Sequence, residues 1–269
     1  TQNFVPATGT SAYFGGINAS WQPEAQTINE SDPAFREIEL VARNLQFVAV
    51  ASNQLLQDNA VALDTLLTTL FTEAMAWFID YYILRGTGVN QPLGVLNAPA
   101  CILQAGGAGS TFTLTDAANM QAHLLMSSWK TAVWGMHPSL LPALITMADS
   151  TNGRLVWVNQ FPGGSAKDGG GVAQELPWSL FGIPIYWSDK LPTIGTAGCV
   201  TLMDLSKMVV GDRLAMQVEA SPYPLFRTNQ MIWRIITRWD AQPWVDTPLT
   251  LAGGGAAYLM SPFVRLAAA

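Results

Sequence analysis

The sequence predicts an α+β fold, and three observations lead there. Residues 60–85 carry apolar side chains at three- and four-residue steps, the period of a helix. Residues 35–51 and 230–239 alternate with period two, the pattern of strands with one buried face. Short strand and helix patterns occupy the rest of the chain in no repeating order.

Residues 1–34 come first and are rich in Gly, Ser, Asn and Thr, with scattered aromatics at Phe4, Tyr13, Phe14 and Trp21. They lack helical periodicity and are too long for an idle loop, so an extended arm or a long hairpin is expected. In 35–51 the phase changes. Ile38, Leu40 and Ala42 share one face, with Glu37, Glu39 and Arg43 on the other. After Arg43, Leu45, Phe47 and Ala49 take the buried side and Asn44 and Gln46 the other. A strand that switches its buried face has a bulge or a twist, or passes between two packing environments.

The helix over 60–85 buries Leu63, Leu66, Leu67, Leu70, Phe71, Ala74, Trp77, Phe78 and Tyr81. Asn59 supplies an N-cap, and Gly86 stops the helix at the position that favours a left-handed glycine. Its length is on the order of 40 Å, suited to a spine across a domain. Asp64, Glu73 and Asp80 interrupt it and rule out a membrane span. A second helix starts at Thr115 or Asp116 and runs to about Trp129. A strand over 132–137 leads to a helix over 138–147, with proline in its first turn. Residues 162–171 form a surface loop. Strands follow at 183–188, 199–204, 214–220 and 230–239, where Trp233, Ile235 and Trp239 face one way and Arg234 and Arg238 the other. Gly253–Gly255 precede a last apolar segment, 256–266.

Composition narrows the function. The 269 residues are 49% hydrophobic and only 12% charged, and ten are tryptophan. Part of the surface must therefore be something other than solvated Lys and Glu. An obligate assembly fits, since Trp is favoured at contacts between chains. The alternative is a monomer with a surface of Thr, Ser, Asn, Gln and Gly. Net charge is −6 with a pI near 4.8, and the first lysine is Lys130, which argues against gripping nucleic acid by its phosphates. Cys101 and Cys199 stand alone, with no disulfide framework, and a reducing compartment is the simpler reading. The chain begins Thr-Gln-Asn, without Met or signal peptide, so a processed N-terminus or an absent leader is expected.

Candidate chemistry is sparse. His123 and His137 have no companions at metal-ligand spacing and read as structural, and no GxSxG elbow supports a serine triad. Glu37 and Glu39 imitate a catalytic pair, but Arg36 and Arg43 beside them make salt bridging the default. Glu73 and Asp80 share a helix face, either solvated or between subunits. The glycine-rich stretch ILRGTGVNQPLGVLN, residues 83–97, raises a phosphate loop. It follows a helix instead of preceding one, and no Lys comes after its glycines. Gly86 and Gly88 read instead as a helix stop and a tight reversal. No cofactor and no metal is expected.

The order of features matches a family. The strand FREIELVARNLQFVAVAS is followed by NQLLQDNA, the helix ALDTLLTTLFTEAMAWFIDYYILRG and the turn GTGVNQPLGVLN. Then come VWGMHPSLLPALITMADSTNGRLVW, LFGIPIYWSDKLP, VTLMDLSKMVVGDR and FRTNQMIWRIITRWDAQPWV. Together, over residues of about 10 to 250, they resemble the major capsid proteins of tailed bacteriophages, with the Hong Kong 97-type fold.

The resemblance implies an N-terminal arm (1–10) and an extended hairpin, the E-loop (11–44). It implies a peripheral domain (45–97 and 207–248) holding the spine helix, and an axial domain (98–206 and 249–269). It implies a mature, processed subunit that self-assembles into an icosahedral head of hexamers and pentamers. The virion would form in the host bacterial cytoplasm, with a portal protein at one vertex. Double-stranded DNA would be enclosed without specific binding, and no membrane would be involved. A decoration or cementing protein is a further partner it allows. Trp21, Phe35, Arg36, Glu37, Glu39, Gly86, Gly88 and Asn90 become candidate intersubunit contacts. Some members cross-link a hairpin lysine to a neighbour's asparagine with help from a glutamate. Counted from Ala51-Ser52, the lysine position falls on Glu37, and the other two fall on Gln230 and Thr237, so no covalent cross-link is expected. Two other readings compete: an encapsulin-type shell around an enzyme cargo, and a soluble α+β enzyme with dispersed carboxylates.

Overall fold

The computed structural model describes residues 21, 23–24, 37–58, 63–106, 112–147, 179–250 and 258–268. The expected cap at Asn59, the loop at 162–171, the glycines at 253–255, the N-terminal arm (1–10) and most of the hairpin (11–44) lie outside them. In chain order the elements are β1 (Arg43–Ser52), α1 (Asn53–Asp58), α2 (Leu63–Arg85), β2 (Ile102–Gln104), α3 (Leu114–Ala122), β3 (Val133–Met136), α4 (Leu141–Ile145), β4 (Ser179–Leu180), β5 (Ile183–Trp187), β6 (Val200–Met203), β7 (Met208–Ser221), β8 (Gln230–Pro243), β9 (Leu249–Thr250), β10 (Leu259–Met260) and β11 (Phe263–Leu266). Two compact units emerge. The first takes 95–207 and 243–269 together with the few described residues up to 38, and the second takes 39–94 and 208–242.

The second unit is built on a three-stranded sheet in the order β1-β8-β7. β1 and β8 are antiparallel, with Phe47 opposite Ile235 and Ala49 opposite Trp233. The phase change expected near Arg43 is present. Ile38, Leu40 and Ala42 are half-buried, and after Arg43 the half-buried positions become Leu45, Phe47 and Ala49. The strand itself does not reach back into 37–42, a correction with a local cause. The next ladder partners on β8 are already engaged. The Ala241 carbonyl accepts from the Leu93 amide (3.0 Å). The Val41 amide donates to the Asp240 carboxylate (2.9 Å), and Gln242 Nε2 donates to the Glu39 carbonyl (3.1 Å).

α2 packs on this sheet by one flank, where Phe78 meets Phe47 at 5.3 Å between ring centroids. Met75 and Leu84 are its buried residues, while Leu66, Leu70 and Trp77, expected inside, remain exposed. Apolar side chains run round more of the helix than three strands can cover, so the sequence pattern over-predicts burial.

The first unit centres on a six-stranded mixed sheet in the order β2-β11-β6-β3-β5-β4. Trp134 on β3 is fully buried, and its indole N–H donates to the Leu180 carbonyl (3.1 Å). Phe112, Met120, Leu140 and Leu202 share its core. α3 starts earlier than expected. Thr113 is the N-cap, and Asp116 closes a reciprocal capping box, its carboxylate accepting from the Thr113 amide at 3.0 Å. It also ends earlier, at Ala122 instead of Trp129. There the chain turns to pair with 259–261: the Leu125 amide donates to the Ser261 carbonyl (3.0 Å), and the Ser261 amide to the His123 carbonyl (2.9 Å). The strand expected at 214–220 is part of the 14-residue β7.

Candidate functional site

The glycine-rich turn after α2 shows what its glycines do. The Gly86 amide donates to the Tyr82 carbonyl (2.8 Å), the Gly88 amide to Pro92 (3.2 Å), and the Gly94 amide to Gly86 (2.9 Å). All three N–H groups are spent inside the turn, so none is left for a phosphate oxygen. Thr87 and Leu93 form an antiparallel bridge across it. Gly88 has φ +80° and Asn90 φ +57°, the two left-handed positions that reverse the chain.

Gly86 is a correction. Its φ is not left-handed, and it is required for space instead: a Cβ there would lie 2.1 Å from the Pro92 carbonyl oxygen. Gly94 is the matching half, since its Cβ would sit 2.5 Å from the Gly86 nitrogen. The close approach is within one chain.

The other candidate contacts are dispersed. Asn90 Oδ1 accepts from Arg43 Nη1 (3.0 Å), which ties the turn to the start of β1. Among the described residues Arg43 is engaged with Asn90 and forms no ion pair with Glu37 or Glu39, which are exposed, while Arg36, the other expected partner, lies outside the described residues. Trp21 is fully exposed. Phe35 and Arg36 lie outside the described residues. Of the two cross-link positions on β8, Gln230 is half-buried opposite Ser52, and the Thr237 hydroxyl is committed to the Leu214 carbonyl (2.9 Å).

The groups that could carry chemistry are tied up in structure. His137 caps a short turn by accepting from the Ser139 amide (3.1 Å), and His123 Nδ1 lies 2.7 Å from the Leu259 carbonyl. Burial pushes the Cys101 thiol up to about 11, with Arg265 opposing, so it stays protonated near neutrality. Burial raises Cys199 as well. No cluster of three or more potential metal ligands occurs among the described residues.

Among the described residues, Asp204 is the one buried carboxylate with a shift. Burial pushes it up, but the hydroxyls of Ser128, Ser206 and Thr131 and the Ser206 amide outweigh this and hold it below its usual range. Of these, only the Ser206 groups meet hydrogen-bond geometry, both at Oδ1 (hydroxyl 2.7 Å, amide 3.1 Å). The atoms Oδ2 and Ser128 Oγ are buried without a partner. The arrangement caps the turn at 205–207.

Solved capsid structures share this α+β architecture, which is the Hong Kong 97-type fold. The chain resembles the capsid of an empty GTA particle at 18% identity and TM-score 0.71, covering 94% of this chain and 81% of that one. It resembles a chain from Mycobacterium phage Adephagia at 17% identity and TM-score 0.63, covering 94% and 82%. A curated relative, the capsid polyprotein of Pseudomonas phage PAJU2, is 26% identical over 227 residues, 81% of this chain and 31% of its own length. The chain thus spans about a third of that relative. The phage capsid family profile matches residues 5–252. The chain belongs to the phage capsid family.

Proposed function

We propose that the chain is the shell subunit of a tailed-phage head, assembled with copies of itself as hexamers and pentamers around double-stranded DNA. The observation that carries this reading is the family match across residues 5–252. The residue inventory is consistent with it. The three glycine amides of the turn are spent within it, and both histidines hydrogen-bond nearby backbone. An acidic chain suits a container that need not bind DNA specifically.

In this reading 45–97 and 207–248 serve as the peripheral domain with α2 as its spine, 98–206 and 249–269 as the axial domain, 1–10 as the arm and 11–44 as the extended hairpin. Trp21, Phe35, Arg36, Glu37, Glu39, Gly88 and Asn90 face neighbours, with the buried Gly86 shaping the turn behind them. A portal protein and a decoration protein are further partners, and assembly takes place in the host bacterial cytoplasm. The shell is held without covalent cross-links, because Glu37 stands where the nucleophilic lysine would be and no lysine precedes Lys130.

Electron microscopy of the purified chain under assembly conditions tests the reading. Closed shells are expected, and a chain that stays monomeric under all assembly conditions overturns it. Enzyme cargo inside particles isolated from their source would favour an encapsulin-type compartment.

A further inference from the structure

Asp204 is fully buried, and its carboxylate is ionised near neutrality. A charged side chain is seldom fully buried without a counter-charge. Among the described residues no cationic side chain pairs with this one. Lys130 and Lys207, the nearest cations in sequence to the site, make no ion pair with it. Oδ1 is satisfied by the Ser206 hydroxyl and amide. Oδ2 and the Ser128 hydroxyl oxygen are both buried without a hydrogen-bond partner.

The sheet brings these groups together. β3 and β6 pair with Val133 opposite Met203, which sets the turn before β3 beside the residue after β6. The Ser128 and Thr131 hydroxyls then lie close enough to favour the carboxylate's charge. Both sides are held in place. The Ser128 carbonyl accepts from the amides of Ala132 (2.8 Å) and Thr131 (3.1 Å), and the Ser128 amide donates to the Leu125 carbonyl (2.8 Å). The Asp204 amide donates to the Pro262 carbonyl (3.0 Å), and its carbonyl accepts from the Lys207 amide (3.1 Å). The Thr131 hydroxyl makes one long contact, 3.5 Å to the Ser128 carbonyl, and its oxygen keeps its lone pairs. Thr131 is exposed, so the group opens to solvent on that side.

We propose that Asp204 Oδ2 and the hydroxyls of Ser128 and Thr131 hold a small alkali cation such as sodium, with water from the Thr131 side completing its shell. One negative charge among neutral oxygens matches one positive charge. Calcium calls for more carboxylates, and Asp204 belongs to no group of three metal-ligating side chains among the described residues. A water molecule in the same place would satisfy Oδ2 and the Ser128 hydroxyl but leave the buried charge unmatched. All the ligands belong to one unit of one chain, so the inference stands apart from the assembly reading.

Thermal melting of the full purified chain tests it, in sodium chloride and in tetramethylammonium chloride at equal ionic strength. The organic cation is too large for the site. Melting should be higher in sodium by at least about 2 °C at about 0.15 M salt, and the dependence on sodium should saturate. Ser128→Ala removes no hydrogen bond of that side chain and should fold. It should raise the sodium concentration for half the effect about tenfold or more. Asp204→Asn should abolish the dependence, and Asp212→Asn, at an exposed carboxylate, should retain it. Equal melting in the two salts overturns the proposal and leaves a water or a direct hydroxyl contact beside Oδ2. A sodium dependence unchanged by Ser128→Ala overturns it as well, because the ion then acts elsewhere. Hydrogen exchange on the unaltered chain decides even where Asp204→Asn does not fold. The amides of Thr131, Ala132 and Ser206 should exchange more slowly in sodium, and equal rates in the two salts overturn the site. None of these results depends on whether shells form, so a failure here leaves the assembly reading standing.

Discussion

Gly86 and Gly94 act as a pair, each leaving room for the other's backbone, whereas Gly88 is needed for its left-handed φ. The two reasons predict different costs. Gly94→Ala forces a Cβ into backbone that cannot yield, and it should destabilise by about 3 kcal/mol or more. Gly88→Ala meets only the Leu93 side chain, at 3.3 Å, and should cost about 1 kcal/mol for the left-handed conformation. Denaturant midpoints of the two variants, compared with the unaltered chain, check the order. Asp204 gives a pH prediction. Its folded carboxyl lies below its unfolded range of about 3.9, so its stabilisation is present above that range and lost as pH falls through the folded value. Asp204→Asn should lower stability near neutral pH, and the gap should close as pH falls below about 4 and through the folded value. Denaturation curves across that range measure it, and a gap that stays constant would contradict the assignment.

Among the elements, β1 was legible in its faces but not in its start. The alternation and its switch at Arg43 are written in the residue types. The end of the ladder depends on Leu93, Asp240 and Gln242, which are far away in sequence and take the places of a longer strand. Asp240→Ala should leave the Val41 and Ala241 amides without their carboxylate and cost about 1–3 kcal/mol. Hydrogen exchange at Val41 should accelerate selectively. α3 shows the same division. Its capping box is local, and Thr113→Ala should cost about 1 kcal/mol, read from thermal melting. Its end is tertiary, because pairing with 259–261 replaces the last helical turns that the local pattern would allow. In α2 the helix was plain from its period, but which flank is covered was not, since a broad apolar surface marks helix without naming its neighbour.

For the whole molecule, charge and lysine placement carry the argument. With no lysine before Lys130 the region around Glu37 has no amine to attack a neighbour's amide. Assembled particles, heated in denaturant, should run as a single subunit band on electrophoresis; a ladder of covalent multimers would show the expectation wrong. Cohesion then rests on many simultaneous contacts, with each large apolar side chain fully buried between copies contributing roughly 1.5–3 kcal/mol.

Periodicity and the ordered motifs sufficed for the α+β class, the long helix, the main strands and the resemblance to phage capsid proteins. Each depends on neighbours within a few residues, or on the order of such segments along the chain. The Asn90–Arg43 tie, the mutual fit of Gly86 and Gly94, the burial of Asp204 and the exposure of Leu66 and Leu70 on α2 came only from the tertiary structure. The Asn90–Arg43 tie joins positions 47 residues apart, and no local pattern encodes which distant backbone or side chain will fill the space beside a residue.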